Sequence, residues 1–471
     1  MKTPLDRLVL GCAAALLMLF ADVAFAGAEG TPSTGGKWSQ PAILSACPGT
    51  GAPHVVFPED SPTNGTGPGA IVWSVTAPCP TGAGAGVLLA PISAEDLPGQ
   101  PAAPRTATGA TIALRGPLSA TAGPYGRVVI AGAAAGEGAT PAGGLLLTEG
   151  PAGGPFAAPL ALGGPAGTFS FATAYLGDAA LASLADPHGR ISVQLRVQRH
   201  HAQRFAAPAE VTAAGAGADS IEALTVALDF RSDRLIVFSR QGSLYARELP
   251  GKGAPHALQR LGPSPPAGAR IAAVLSDDDR AIVAWTVRHD GRTSVYVSQS
   301  QPGVSFTDPQ LLEEFPDPPG LPGYVDSPQL VRLSSESVML AWTGAVAGHW
   351  AIRAAAIDQR GVLPPSTISP AGRDALLAGL AAGPNDEALA LWSEPQPSPA
   401  GLDLGEQAIF AARGFDGYPE QVKFAAPELL APPGPNREET VAFDPDSDRA
   451  VAAWRTGAGA LAYSVRAPGA P

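Results

Sequence analysis

Short apolar runs recur along the chain, and each ends on a tryptophan: Ala70-Ile71-Val72-Trp73, Ile282-Val283-Ala284-Trp285, Met339-Leu340-Ala341-Trp342, Leu389-Ala390-Leu391-Trp392 and Val451-Ala452-Ala453-Trp454. Phe238 closes Leu235-Ile236-Val237 in the same role. Four or five apolar residues bounded by turns suit a strand buried on both faces and are too few for a core helix. Acidic turns ending in arginine precede several runs, at Asp229 to Arg234, Asp277 to Arg280 and Asp444 to Arg449. Asp and Ser bend the chain by bonding nearby backbone, so these segments read as turns leading into the tryptophan strand, their acids facing solvent. A second turn follows, such as Asp290-Gly291, and then an alternating strand such as Val295-Tyr296-Val297 or Ile409-Phe410-Ala411.

A third signature ends the unit: an aromatic, two residues, Pro, two residues, an aliphatic. It appears at Trp38-Pro41-Leu44, Phe156-Pro159-Leu162, Phe205-Pro208-Val211, Phe306-Pro309-Leu312 and Phe424-Pro427-Leu430. Proline cannot donate to a ladder and belongs on an edge, which makes this the outer strand of a four-stranded unit. With weaker copies near Ile130 and Ser183, the anchors from Trp73 to Trp454 make seven steps of about 54 residues. That spacing predicts an all-β fold, a β-propeller of seven to eight four-stranded blades with eight the better fit, whereas tandem immunoglobulin-like domains would repeat near 100 residues. The last unit stops at Arg466 without its proline strand, while that strand stands alone at Trp38 to Leu44. The N-terminal strand is therefore expected to complete the C-terminal blade, which removes the free edges of an open ring.

The Gly303-Val304-Ser305-Phe306 copy resembles the end of the Asp-box repeat of sialidase-like, BNR-type propellers, a Ser-x-Asp-x-Gly-x-Thr-Trp motif followed by a proline-bearing strand. Gln301 and Gln299 stand where that box has Asp and Ser. The resemblance implies the propeller architecture. No arginine-cluster motif of the catalytic members is present, Arg270-Ile271-Ala272 being the nearest string, so it implies no catalytic residue.

The first 26 residues read as a secretory signal peptide: Lys2 and Arg7, the apolar stretch Leu8 to Phe20, then Ala24-Phe25-Ala26 as the cleavage site. The expected division is a signal peptide at 1–26, a flexible N-terminus at 27–36, one propeller domain at 37–466 and a disordered tail at 467–471. The expected location is extracellular or in the cell envelope, with no membrane insertion, since no later segment reaches eighteen apolar residues. Cys47 and Cys79 remain after cleavage, and an even count in an oxidising compartment reads as a disulfide. A net charge of −12 disfavours nucleic acid and anionic lipid as partners.

Chemistry is sparse. There is no nucleophile elbow, phosphate loop or His-Glu-x-x-His, and the Gly82 to Gly86 run lacks dinucleotide spacing. His200-His201 would face opposite sides of a strand, and Asp444, Asp446 and Asp448 read as a hairpin turn rather than a calcium loop, so no metal or cofactor is expected. Six of seven tryptophans have a packing explanation; Trp350, beside His349 after the Gly344 to Gly348 turn, is left as an exposed loop aromatic. Longer proline-bearing connections at 250–268, 313–327 (with Phe315 and Tyr324) and 393–407 suit a recognition surface on a rigid scaffold. These features predict an exported, monomeric, non-catalytic propeller that binds a protein or glycan partner through loops around Phe315, Tyr324, His349 and Trp350. The competing reading is a secreted glycoside hydrolase or lyase on the same scaffold. An enzyme would gather carboxylates with an Arg or His at the central channel mouth.

Overall fold

The computed structural model describes residues 36–467 except 50, 59–68, 77–78, 80–85, 94–97, 124–125, 135–143, 166–168, 175–177, 185–190, 197–204, 208, 212–220, 222, 267–268, 277–279, 302, 319–326, 334–336, 385, 399–400, 416–421, 445–446 and 458. The signal peptide, the expected flexible terminus up to residue 35, Tyr324, His200-His201, Asp277 to Asp279, the glycine-rich stretch from Gly82 to Ala85, Asp446 and the last four residues lie outside the described residues.

Eight antiparallel sheets follow one another along the chain. Blade 1 begins with the innermost strand His54–Val56 and continues through Gly69–Val75 and Gly86–Ile92. Its outer edge is supplied by bridges from Leu89 to Ala102 and from Ile92 to Pro98. The innermost strands of blades 2 to 8 are Leu114–Gly123, Phe169–Thr173, Leu224–Leu228, Ala272–Leu275, Gln329–Arg332, Leu376–Ala382 and Arg437–Phe443. Each touches the innermost strand of the next blade, and the eighth touches the first, so the ring is closed.

The tryptophan runs form the second strands of blades 1, 5, 6, 7 and 8, and the Phe238 run that of blade 4, where the sequence pattern placed them. In Ala450–Arg455 every residue is buried, and Trp73, Trp285, Trp342, Trp392, Trp454 and Phe238 lie at the centre of clusters shared by neighbouring blades. Stacking of Trp285 on Tyr296 and of Trp392 on Phe410 ties second to third strands. Two-residue hairpins join these strands at Gln241-Gly242, Asp290-Gly291 and Ala347-Gly348, all with positive φ at both positions. This is the turn whose twist matches flanking strands, and it explains glycine at the second position.

The proline signature marks the outer strand, with a refinement. Pro41, Pro159, Pro309 and Pro427 each stand one residue before it, at Ala42–Ser45, Leu160–Pro165, Gln310–Pro316 and Glu428–Gly434. A residue without an N–H costs the ladder nothing at the position where pairing begins. Ala42–Ser45 pairs with Leu461–Arg466 of blade 8, and Trp38 bridges Arg466, so the N-terminal strand completes the last blade.

Cys47 and Cys79 are disulfide-bonded and pack in the core between blades 8 and 1. Among the described residues no helix is long and apolar enough to cross a membrane.

The acids of the turns do more than shape backbone. Asp444 is buried against Arg449 at 2.6 Å, and Asp448 receives both Arg413 at 2.8 Å and Arg466 at 2.9 Å. The expected solvent-facing role is corrected for this turn: Arg449 of the turn, Arg466 of the same blade and Arg413 of the preceding blade meet its acids, and a buried carboxylate is tolerable only when so paired. Arg449 also lies over the Phe57 ring and donates to the Ser93 carbonyl at 3.1 Å, joining blade 8 to blade 1.

Candidate functional site at the channel mouth

The structure places Trp350 and Phe315 in the core rather than on an exposed loop face. The turn after Val346 has only two residues, so His349–Asp358 is already the third strand of blade 6 and Trp350 pairs with Ala345. Trp350 is 1% exposed, and Phe315, on the outer strand of blade 5, is 4% exposed. Their rings meet edge to face at 6.2 Å inside the cluster that holds Trp342 and Leu376. The structure thus brings Trp350 and Phe315 together, but as core, and the expectation of exposed aromatics is corrected. His349 stays partly exposed, its Nδ1 3.3 Å from Asp374, whose other oxygen accepts from the Trp350 N–H at 2.9 Å. The 393–407 connection is likewise a paired ribbon, Glu387–Ser398 with Gly401–Phe415, rather than an open loop.

A cavity of about 1000 Å³ lies at one mouth of the central channel, lined mainly by residues at or near the start of innermost strands from blades 1, 4, 5, 6, 7 and 8, with Leu118 of blade 2. Its polar lining includes His54, Arg270, Glu438, Glu439 and Thr440. Toward the strand ends a smaller recess of about 210 Å³ is lined by Thr121, Thr173, Phe230 and Arg332.

A β-bulge creates the acidic part of the mouth. Arg437 pairs with Arg455 and Thr440 with Ala453, so Glu438 and Glu439 share the space opposite a single partner residue. Glu438 takes a positive φ of 55°, a left-handed conformation uncommon for residues other than glycine. Bulges re-aim side chains, and strained residues persist only where their surroundings hold them. Here the surroundings are explicit. Glu438 accepts from the Gly51 N–H at 3.2 Å and lies 3.2 Å from Arg455 Nε. Arg455, fully buried, donates to the carbonyls of Gly51, Gly459 and Ser74 at 2.9 to 3.0 Å. A Cβ at Gly49 would stand 2.6 Å from this guanidinium, so the close approach requires glycine there.

The two glutamates consequently have different electrostatics. Glu438 faces a guanidinium. Glu439 has none: its Oε1 is buried with no hydrogen-bond partner, and burial first, then the Glu438 charge, pushes its carboxyl up to about 7 against the opposing effect of its own backbone N–H. The His54 ring donates from Nε2 to the Leu118 carbonyl at 3.0 Å. Burial holds its pKa below the ordinary histidine value; the hydrogen bond opposes that, and the positive charge of Arg270 adds to it. His54 is therefore neutral at neutral pH, its proton on Nε2 and its acceptor on Nδ1. Arg270 is exposed, and its guanidinium makes no ion pair among the described residues; its backbone N–H is held by Ser327 Oγ at 3.1 Å. Gln329 bridges blades 6 and 7, donating to Ala378 O at 3.1 Å and accepting from Leu380 N at 2.8 Å.

Sequence reasoning missed this site because its members are scattered over nearly 400 residues. Glu438-Glu439 looks like an ordinary acidic pair ahead of a strand, and His54 is one of seven histidines. The one usable signal was two adjacent acids at the start of an innermost strand, where other blades place small or apolar residues such as Ala272 or Leu376. Among the described residues no group of three or more His, Cys, Asp or Glu is placed to hold a metal ion.

No protein-family model matches the chain, and no curated protein matches it. Solved structures do. The chain is similar to an ulvan lyase, a polysaccharide lyase solved with bound saccharide, at 12% identity over 91% of this chain and 96% of that one, with a TM-score of 0.46. A second polysaccharide lyase is similar at 12% identity over 77% and 92%, TM-score 0.40, and the Aleuria aurantia lectin at 11% over 65% and 93%, TM-score 0.32. At these identities and TM-scores the likeness decides nothing about this chain, and the eight-bladed ring rests on the strand pairing described above.

Proposed function

We propose that the protein is an exported propeller that binds a saccharide at the channel mouth. The observation that carries this reading is Glu439: a buried carboxyl oxygen without a partner, in a cavity of about 1000 Å³. An unsatisfied buried acceptor costs about 1–3 kcal/mol, a cost that a ligand hydroxyl would remove. Ser74, Thr225, Ser327 and Thr440 line the same cavity, and a concave, hydroxyl-rich funnel of that volume suits a short glycan better than a folded protein face. Contact is assigned to this mouth rather than to Trp350, whose ring is in the core.

The test is titration calorimetry across a panel of oligosaccharides, repeated with Glu439→Ala. A hit weakened about tenfold or more by the substitution supports the reading. Absence of any saccharide binding, or binding indifferent to Glu439, overturns it. Export predicts that secreted material begins near Gly27, read by N-terminal sequencing.

A second reading, acid–base cleavage of the bound glycan, is favoured by one observation: the mouth gathers two carboxylates in unlike environments with a histidine and an arginine. Such divergence is how one site keeps one acid protonated beside one ionised. Shortening of a bound oligosaccharide, abolished by Glu439→Gln while binding persists, would decide for it.

A further inference from the structure

The chain carries a net charge of −12, and an acidic protein would ordinarily repel an anion. The channel mouth inverts that sign. Of its charged groups, Glu438 is matched by Arg455 at 3.2 Å. Glu439 is in no ion pair among the described residues, and burial keeps its carboxyl largely protonated below neutrality. His54 is neutral, tied to the Leu118 carbonyl. Arg270 is left as the uncompensated charge of the described lining, exposed into the cavity and close enough to His54 to lower its basicity. A guanidinium offers a planar fork matched to two oxygens of a carboxylate or sulfate.

We propose, building on the saccharide reading, that the ligand carries a carboxylate or sulfate group that Arg270 receives at the channel mouth. Glu439, in the lining of the same cavity, then acts as a selectivity element. As an uncharged carboxyl it accepts or donates a hydrogen bond without repelling the anion. As a carboxylate it adds a negative charge to the lining and opposes anion entry. The groups packed around it are few: Arg437 and Glu438 on its own strand, Arg455 on the paired strand Ala450–Arg455, and His54 across the blade 8 to blade 1 joint. The strand of blade 7 beside it, Leu376–Ala382, brings no titratable side chain. Its titration near neutrality thus changes the charge of the described lining.

The experiment is calorimetric titration at pH 6.0 and 8.5 with matched pairs: oligogalacturonate against its methyl ester, and dextran sulfate oligomers against dextran. One acidic member is expected to bind at least tenfold more tightly than its neutral counterpart at pH 6.0, and which pair responds distinguishes carboxylate from sulfate. Arg270→Gln should erase that ratio. The acidic ligand should lose three- to tenfold in affinity at pH 8.5, and Glu439→Gln should remove this loss. Neutral members binding as well as acidic ones, or a ratio that survives Arg270→Gln, would overturn the anion inference while leaving the saccharide reading standing. No binding by any member would bring down both.

Discussion

Arg455, on the second strand of the last blade, has its side chain fully out of solvent and its Nε 3.2 Å from Oε2 of Glu438 on the innermost strand. The same guanidinium holds the carbonyls of Gly51 and Ser74 in the first blade. One side chain therefore closes the ring, fixes the segment leading to His54 and neutralises a glutamate of the mouth. Removing one partner of a buried pair leaves the other uncompensated, at a cost of about 3–5 kcal/mol. Arg455→Leu is expected to lose that much in urea denaturation, and a loss below about 1 kcal/mol would show the joint is held by packing alone.

Glu439 should impose a pH dependence on stability. Its folded pKa, about 7, lies above the unfolded value of 4.5, so the folded state binds the extra proton between those limits. Stability from this group is fully present below pH 4.5 and falls as pH rises through 7, by about 3 kcal/mol in all. Glu439→Gln is therefore expected to be about 2–3 kcal/mol more stable than the parent at pH 8 and nearly equal at pH 4.5. Equal stability at both values would contradict the buried, unpaired placement.

Trp350 is a structural residue by position. Truncating a buried aromatic opens a cavity and costs about 3–5 kcal/mol. Trp350→Ala should lower stability by that amount in chemical denaturation, whereas His349→Ala, partly exposed, should change it by less than about 1 kcal/mol. A Trp350→Ala protein as stable as the parent would restore the surface reading of this residue.

Closure by the N-terminal strand is testable by deleting residues 27–45. The deletion frees the outer edge of Leu461–Arg466, now paired by Ala42, Ile43 and Ser45. An unpaired edge is a template for association. Aggregation in light scattering, or a melting temperature lower by several degrees, is expected; a monomer as stable as the parent would contradict the closed ring.

The architecture was legible because it repeats. The tryptophan of the second strands, the Asp-Gly hairpin at 290–291 and the proline one residue before four of the outer strands are local devices, each written within about ten residues. Trp350 misled because its environment is not local. Its run lacks the apolar approach of the other anchors, and burial comes from Phe315 of the preceding blade, a partner no spacing rule names. The acids of the 444–449 turn misled for the same reason: their arginines include Arg413, on the blade before, and Arg466, one strand on.

By itself the chain determined the strand order within a blade, a ring of seven to eight blades and its circular closure, which follow from periodic burial and the spacing of the repeats, and the pairing of Cys47 with Cys79, which follows from their even count. Only the tertiary structure decided the channel mouth. Closing the ring brings His54 beside a strand that begins almost 400 residues later, and a single bulge turns Glu438 toward Arg455 while leaving Oε1 of Glu439 buried without a hydrogen-bond partner. The charge of that mouth depends on desolvation and pairing, quantities that exist only once the blades have met.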